Sequence, residues 1–361
     1  MTLQERLRQT LPHPQRLFEL GPFQSSHRVA TRAGISVFVP LLLLWLTGHL
    51  DLSLYAVFGA FASLYGRNEA HLSRLPMQAL AGCILVLSVI AGTAIAISPE
   101  RAWLIVPLGA LWAGAVGLIV DGVRAHPPGP MFPVFAICAC ASVPSSTDGV
   151  AIAALVASAS ASFAILVGVA GVLWHHRSAK SLAMARSQSH GEPWPNLSVL
   201  LGQVELRHHL FRYMAAPAVA GLAATALGLG RPYWAMVTAV IPMAAATTPE
   251  RILRALHRLV GTLLGLALAA GLLAVHSSGL AALTLITALQ IGAELLVGVN
   301  YSLALIFITP LALSMVQLAR YSPPGVLLVD RGIETILGIA VAIVATLATH
   351  EQSTSAELDL A

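Results

Sequence analysis

Charge is what this sequence has least of. Asp, Glu, Lys and Arg make up 10% of its 361 residues, against roughly 25% in a soluble globular domain, which excludes an ordinary water-soluble fold. Cysteine is nearly absent: Cys83, Cys138 and Cys140 all lie in apolar runs. An odd set so placed reads as buried free thiols, with neither a disulfide framework nor a metal site. The adjacent histidines His175 with His176, and His208 with His209, lack the i,i+4 spacing of a zinc pair. There is no GxxxxGK[ST], so ATP is not expected to drive anything within this chain. Neither HExxH, GxSxG nor closely spaced aspartates at a membrane boundary occur, which argues against an intramembrane enzyme acting on lipid. No catalytic residue, metal or cofactor is expected.

What fills the chain instead is apolar sequence, 57% of it. A spanning helix needs roughly 20 apolar residues, and the runs support about twelve spans, so the expected fold is an all-α integral membrane protein. The opening stretch MTLQERLRQTLPHPQRLFEL carries no small-residue cleavage site and suits an amphipathic helix on the membrane surface. Placing the N-terminus inside puts sixteen of the twenty basic residues on that side and leaves only Arg101, Arg231, Arg320 and Arg331 on the other. That asymmetry predicts cytoplasmic termini at both ends. The net charge of +4 then reports topology and membrane lipid contact, with no nucleic-acid partner.

The chain also reads as two copies of one unit. At a shift of 179 residues Tyr55 falls on Trp234, Gly82 on Gly261 and Asp121 on Asn300. The expected organisation is a cytoplasmic amphipathic segment over 1–28, a six-helix unit over 29–174, a cytoplasmic linker over 175–210, a second six-helix unit over 211–350 and a cytoplasmic tail over 351–361. An even number of spans gives both units the same orientation, related by an axis along the membrane normal. The second span of each unit is short, and the fifth carries Pro133 in one and Pro310 in the other. Some 15 residues of helix reach about 22 Å, less than the roughly 30 Å of hydrocarbon. Short or broken spans in matching positions point to a transporter's binding site; tilted or kinked helices without a ligand are the plain alternative.

The stretch TPERILRALHRLVGTLLG starts a helix with the signature of a cap at Thr248, a first-turn proline and an acid, Glu250. Arg251, Arg254 and Arg258 then fall at i, i+3 and i+7 on one face, continued by Gly261 and Gly265. That GxxxG pattern lets another helix approach, so the face meets protein. The arginines would point into an anion-attracting vestibule, or else fix topology and bind lipid phosphate.

RPYWAMVTAV at 231–240, RALHRLVGTLLG at 254–265 and RGIETILG at 331–338 resemble the signature of the fusaric-acid-resistance-like (FUSC) family of bacterial inner-membrane proteins, which includes aromatic carboxylic acid exporters; the likeness is weak in the first half. The pattern is distantly similar to plant aluminium-activated malate channels. The resemblance implies energy-dependent export of small organic acids, with motif positions on Trp234, Thr238, Arg254, Arg258, Gly261, Thr262 and Gly265. Larger exporters of that family carry an extensive cytoplasmic region not matched here, which leaves a periplasmic adaptor open.

Two acids lie inside predicted spans, Glu294 and Glu334. An ionised acid at a helix centre costs roughly 2.5–3.5 kcal/mol on insertion scales and usually faces an interior cavity. Glu294 shares a stripe with Thr287, Gln290, Gly298 and Tyr301 and is the leading candidate to bind and release a proton, with packing as the alternative. Glu334 is a second proton-coupling candidate, although an ion pair with Arg331 one turn earlier is the simpler account. Trp234 and Gln290 would contribute to solute binding together with Thr238 and the three arginines; an interfacial anchor is the alternative for Trp234. The sequence thus predicts a secondary exporter of small anionic, aromatic carboxylic acids coupled to protons, with a passive organic-anion channel as its rival. Small-residue faces such as Gly168 to Gly171 serve contacts within one chain as readily as between two, so a homodimer stays open.

Overall fold

The computed structural model describes residues 12–22, 26–67, 74–175, 204–275 and 278–349. Among them the fold is all-helical, with twelve α-helices and no strand. In chain order they are α1 Ser26–Leu46, α2 Ser53–Ala60, α3 Arg74–Ile95, α4 Arg101–Gly122, α5 Met131–Ser142, α6 Thr147–His175, α7 Val204–Ala226, α8 Tyr233–Met243, α9 Thr248–Ala274, α10 Gly279–Leu296, α11 Tyr301–Ala319 and α12 Pro324–Ala348. Seven of these (α1, α3, α4, α6, α9, α10 and α11) are long and apolar enough to cross a membrane. Large apolar side chains such as Leu155, Leu166 and Val344 stand exposed on the outside, the surface a bilayer would cover. The expected linker over 175–210 falls largely, and the tail over 351–361 wholly, outside the described residues. Of the amphipathic N-terminal segment, 1–11 also lie outside; what is described is one 3-10 turn, Pro14–Leu17, with Phe18 and Leu20 exposed.

The second helix of each half is short, as expected. α8 has 11 residues and α2 has 8 within a longer run flanked by the 3-10 turns Leu50–Leu52 and Phe61–Leu64. Every residue of α2 and α8 is buried, so protein rather than lipid surrounds the backbone where it breaks. The fifth helices correct the sequence reading. α5 is short, at 12 residues, but Pro133 sits in its first turn, where its missing N–H costs nothing. α11 runs unbroken for 19 residues through Pro310. Its span is neither short nor broken, because a proline inside a spanning helix is tolerated when packed neighbours re-satisfy the freed backbone.

α9 begins one residue earlier than expected. Thr247 is the N-cap, its side chain accepting from the Glu250 N–H while Glu250 reaches back to the Thr247 N–H, a complete capping box with proline in the first turn. Gly261 and Gly265 bring α9 against α11. A side chain on Gly261 would strike the Ser302 carbonyl, and one on Gly265 would come within 2.8 Å of the Leu305 carbonyl, so the glycine face meets protein. Gly168 lies against Gln78, a contact within the chain.

Packing follows a pattern. α3 packs on α5 and α6, and α9 on α11 and α12; α2 packs on α6, and α8 on α12; α1 meets α10, and α7 meets α4. The last two pairings join the first six helices to the second six.

Candidate functional site

The ends of the two short helices leave carbonyls inside the protein, and arginines answer them. After α2, Arg32 donates Nη2 to the Ser63 carbonyl at 3.0 Å, Arg74 donates Nε to that of Gly66 at 3.0 Å, and Gln78 reaches those of Ser63 and Tyr65 at 3.4 and 3.3 Å. After α8, Arg251 donates Nε to the Ala245 carbonyl and Nη2 to that of Ala246, both at 2.9 Å. The three arginines of α9 thus divide: Arg251 is buried at the break, while Arg254 and Arg258 line cavities.

Two cavities lie between the halves. The outer, about 640 Å³, is bordered by Arg67, His126, Pro127, Ile241, Arg254 and Tyr301 among others. The inner, about 130 Å³, is walled by Phe61, Phe132 and Phe135 from the first half and by Trp234, Val237 and Leu311 from the second. Arg67, Pro127, Met131, Ile241, Val297 and Tyr301 border both, so the inner chamber continues from the outer one. Its polar groups are Arg67, Arg258, Gln290, Glu294, Tyr301 and Arg331.

Within this lining Glu294 ties the halves together. Its carboxylate is 3.4 Å from Arg67 Nη2, which also donates to the Glu294 backbone carbonyl at 3.0 Å, and it accepts from Gln290 Nε2 at 3.3 Å. Arg258 donates Nη1 to the Tyr301 hydroxyl at 3.1 Å, while its Nε has no partner. Gln290 Oε1 and Trp234 Nε1 are likewise buried without partners. Of the expected stripe, Gln290, Glu294, Gly298 and Tyr301 border the cavities, whereas Thr287 donates to the Leu283 carbonyl and faces Gly34 of α1.

Besides Arg251, three expected residues lie elsewhere. Thr238 is fully buried against Gly338, which a side chain would push to 2.7 Å from Thr238 Cβ. Thr262 is fully buried and borders neither cavity. Glu334 also borders neither cavity; its Oε1 accepts from the Arg231 N–H at 2.8 Å, and Oε2 has no partner. The expected Arg331–Glu334 ion pair does not form. Helical spacing brings the two onto one face, but the Arg331 guanidinium carbon lies over the Trp234 ring, 4.0 Å from its centroid. Around Glu334, Arg231 Nη1 pairs with Asp330 at 3.1 Å and Nη2 donates to Ser322 at 2.6 Å, knitting the start of α8 to α12.

Sequence reasoning missed Arg67 and Arg331 as cavity groups. Arg67 directly follows a short span and Arg331 opens RGIETILG, which are the signals that mark them. Among the described residues no cluster of three or more His, Cys, Asp or Glu could hold a metal ion.

Residues 219–345 match the family described as fusaric acid resistance protein-like, which agrees with the resemblance carried by the α8 and α9 motifs. The chain is 35% identical over 98 residues to an uncharacterized membrane protein, YvaC, of Bacillus subtilis (strain 168), a stretch that covers 27% of this chain and 16% of that protein. No solved structure matches.

Proposed function

We propose that this protein is a secondary transporter that exports small anionic, aromatic carboxylic acids across a bacterial inner membrane, coupled to protons and with both termini cytoplasmic. The observation that carries this reading is the cavity between the halves: it narrows from a basic mouth to an aromatic-walled chamber holding one carboxylate, Glu294, bound to Arg67 of the opposite half. Arg254 at the mouth draws the anion in by field focusing, and Arg258, one turn deeper, meets it with an unpartnered Nε. Arg251 serves the α8 break. A chamber near 130 Å³ suits one ring, since an apolar cavity of about 150 Å³ takes up benzene. Glu294 is the proton carrier: neutralised, it releases Arg67 and loosens the contact between halves. Glu334 belongs to the far-side cluster with Arg231 and plays the lesser part in coupling.

We read the chain as two same-orientation six-helix units, with domain limits as the sequence sets them. Support comes from the packing, in which the α3–α6, α2–α6, α3–α5 and α4–α5 pairings recur six helices on as α9–α12, α8–α12, α9–α11 and α10–α11. A homodimer and an adaptor enter as partners only through experiment.

The test is uptake of radiolabelled benzoate into proteoliposomes with an imposed pH gradient at clamped voltage. Accumulation above the level in protein-free liposomes, abolished when the pH gradient is collapsed, is the expected result. Equilibration without accumulation would make the protein a passive anion channel.

A further inference from the structure

Trp234 and Arg331 both line the inner chamber, and their contact assigns them roles that spacing alone does not. Arg331 is 2% exposed, and neither its Nε nor its Nη1 has a hydrogen-bond partner. A buried guanidinium in that state carries a large desolvation cost. Glu334, one turn on, directs its hydrogen-bonded oxygen to the Arg231 N–H instead. What holds Arg331 is the face of Trp234, 4.0 Å from the guanidinium carbon, a cation–π contact that leaves its N–H groups unspent. The indole is itself clamped: Phe135 lies 5.0 Å and Tyr233 4.9 Å from it, centroid to centroid. With Arg331 on its face, the indole has little face left to offer a solute ring.

We propose that Arg331 is the carboxylate-binding group of the chamber and that Trp234 is its positioning residue, aligning the guanidinium fork rather than stacking on the solute. This rests on the reading of the chamber as an organic-anion site. Nη1 is free and forms the end of the planar guanidinium with Nη2; that edge matches a carboxylate's two oxygens, and the solute's hydrocarbon body then lies against Phe61, Phe132 and Phe135. The chamber thereby selects for a carboxylate attached to one compact apolar group, whether or not that group is aromatic.

The test uses the full-length protein in detergent, with benzoate, cyclohexanecarboxylate and nitrate as probes, read by calorimetry and by ligand-dependent shifts in melting temperature. Arg331→Gln is expected to weaken both carboxylates tenfold or more, and without ligand to melt no lower than wild type, because it removes an uncompensated buried charge. Trp234→Leu is expected to weaken benzoate and cyclohexanecarboxylate by the same factor. A loss confined to benzoate would make Trp234 a stacking platform and overturn its assignment. Wild-type carboxylate affinity in Arg331→Gln would overturn the role of Arg331 and leave the organic-anion site standing. If Arg331→Gln does not fold, Arg331→Lys decides: it keeps the charge without the fork, and unchanged carboxylate affinity overturns the proposal. Arg331-dependent binding of nitrate without either carboxylate would keep the anion site and sink the organic-acid reading. Binding of none of the three probes by wild type would overturn both.

Discussion

The two halves break their second helix in matching places and treat the break differently. In the first half, side chains from two helices converge on the carbonyls after α2: Arg32 from α1, and Arg74 with Gln78 from α3. In the second, Arg251 of α9 takes the carbonyls after α8, while Arg212, placed like Arg32, bonds to Thr349 at the end of α12. Arg74 and Gln78 are spaced i,i+4 on α3 as Arg254 and Arg258 are on α9, yet the first pair faces the break and the second faces the cavities. The first half closes its break and contributes aromatic wall and Arg67; the second turns two arginines of α9, with Arg331 of α12, toward the cavities.

Close helix contacts are also exchanged between the halves. On α2, Gly59 abuts α6 at the Ala157 carbonyl and Ser160. In the matching α8–α12 contact the glycine is on the other helix: Gly338 of α12 abuts the Ala235 carbonyl, at 2.6 Å from an added side chain, and Thr238 of α8. A close crossing needs one small residue, and either helix can supply it. This explains why Thr238, a motif position, packs rather than binds.

The comparison breaks first at these glycines. Gly59→Val and Gly338→Val should each cost about 3 kcal/mol by overpacking against a backbone carbonyl that cannot step aside, read as a lowered melting temperature in detergent. Gly271→Ala, with open space around it, should be neutral or gain up to about 1 kcal/mol. Equal tolerance at all three sites would contradict the packing.

Next come the arginines. Arg251→Leu removes the donor of the buried Ala245 carbonyl and of the exposed Ala246 carbonyl and should lower stability by about 1–3 kcal/mol, as Arg74→Leu should in the first half. Arg258→Gln, which loses the bond to Tyr301, should lower stability by about 1 kcal/mol and abolish benzoate uptake. An Arg251→Leu protein that melts like wild type but does not transport would mean that Arg251 also handles the anion. The smallest effect belongs to Arg254→Gln, where uptake should slow several-fold at low ionic strength, with the gap narrowing as salt screens the mouth.

Much of this was legible before any coordinates. The α9 cap, one residue early at Thr247, and the Gly261–Gly265 face follow from local chemistry; α8 is short as expected, shorter still at 11 residues. What spacing does not reveal is the partner across the fold. Arg251, Arg254 and Arg258 share a helical stripe, but only the position of α8 decides that the first turns toward its carbonyls. Arg67 with Glu294, and Arg331 with Trp234, join residues 227 and 97 positions apart, beyond the reach of any helical periodicity. Pro310 misled because its ring marks a break in water and is accommodated among packed helices.

The central claim is that Glu294 couples the anion path to protons. Liposomes holding a pH-sensitive dye, with wild type or Glu294→Gln at clamped voltage and protein-free liposomes as the baseline for unaided weak-acid entry, test it directly. Acid-dependent proton movement that requires the protein and vanishes in Glu294→Gln is the predicted result. Anion flux without protons, equal in both proteins, would contradict it.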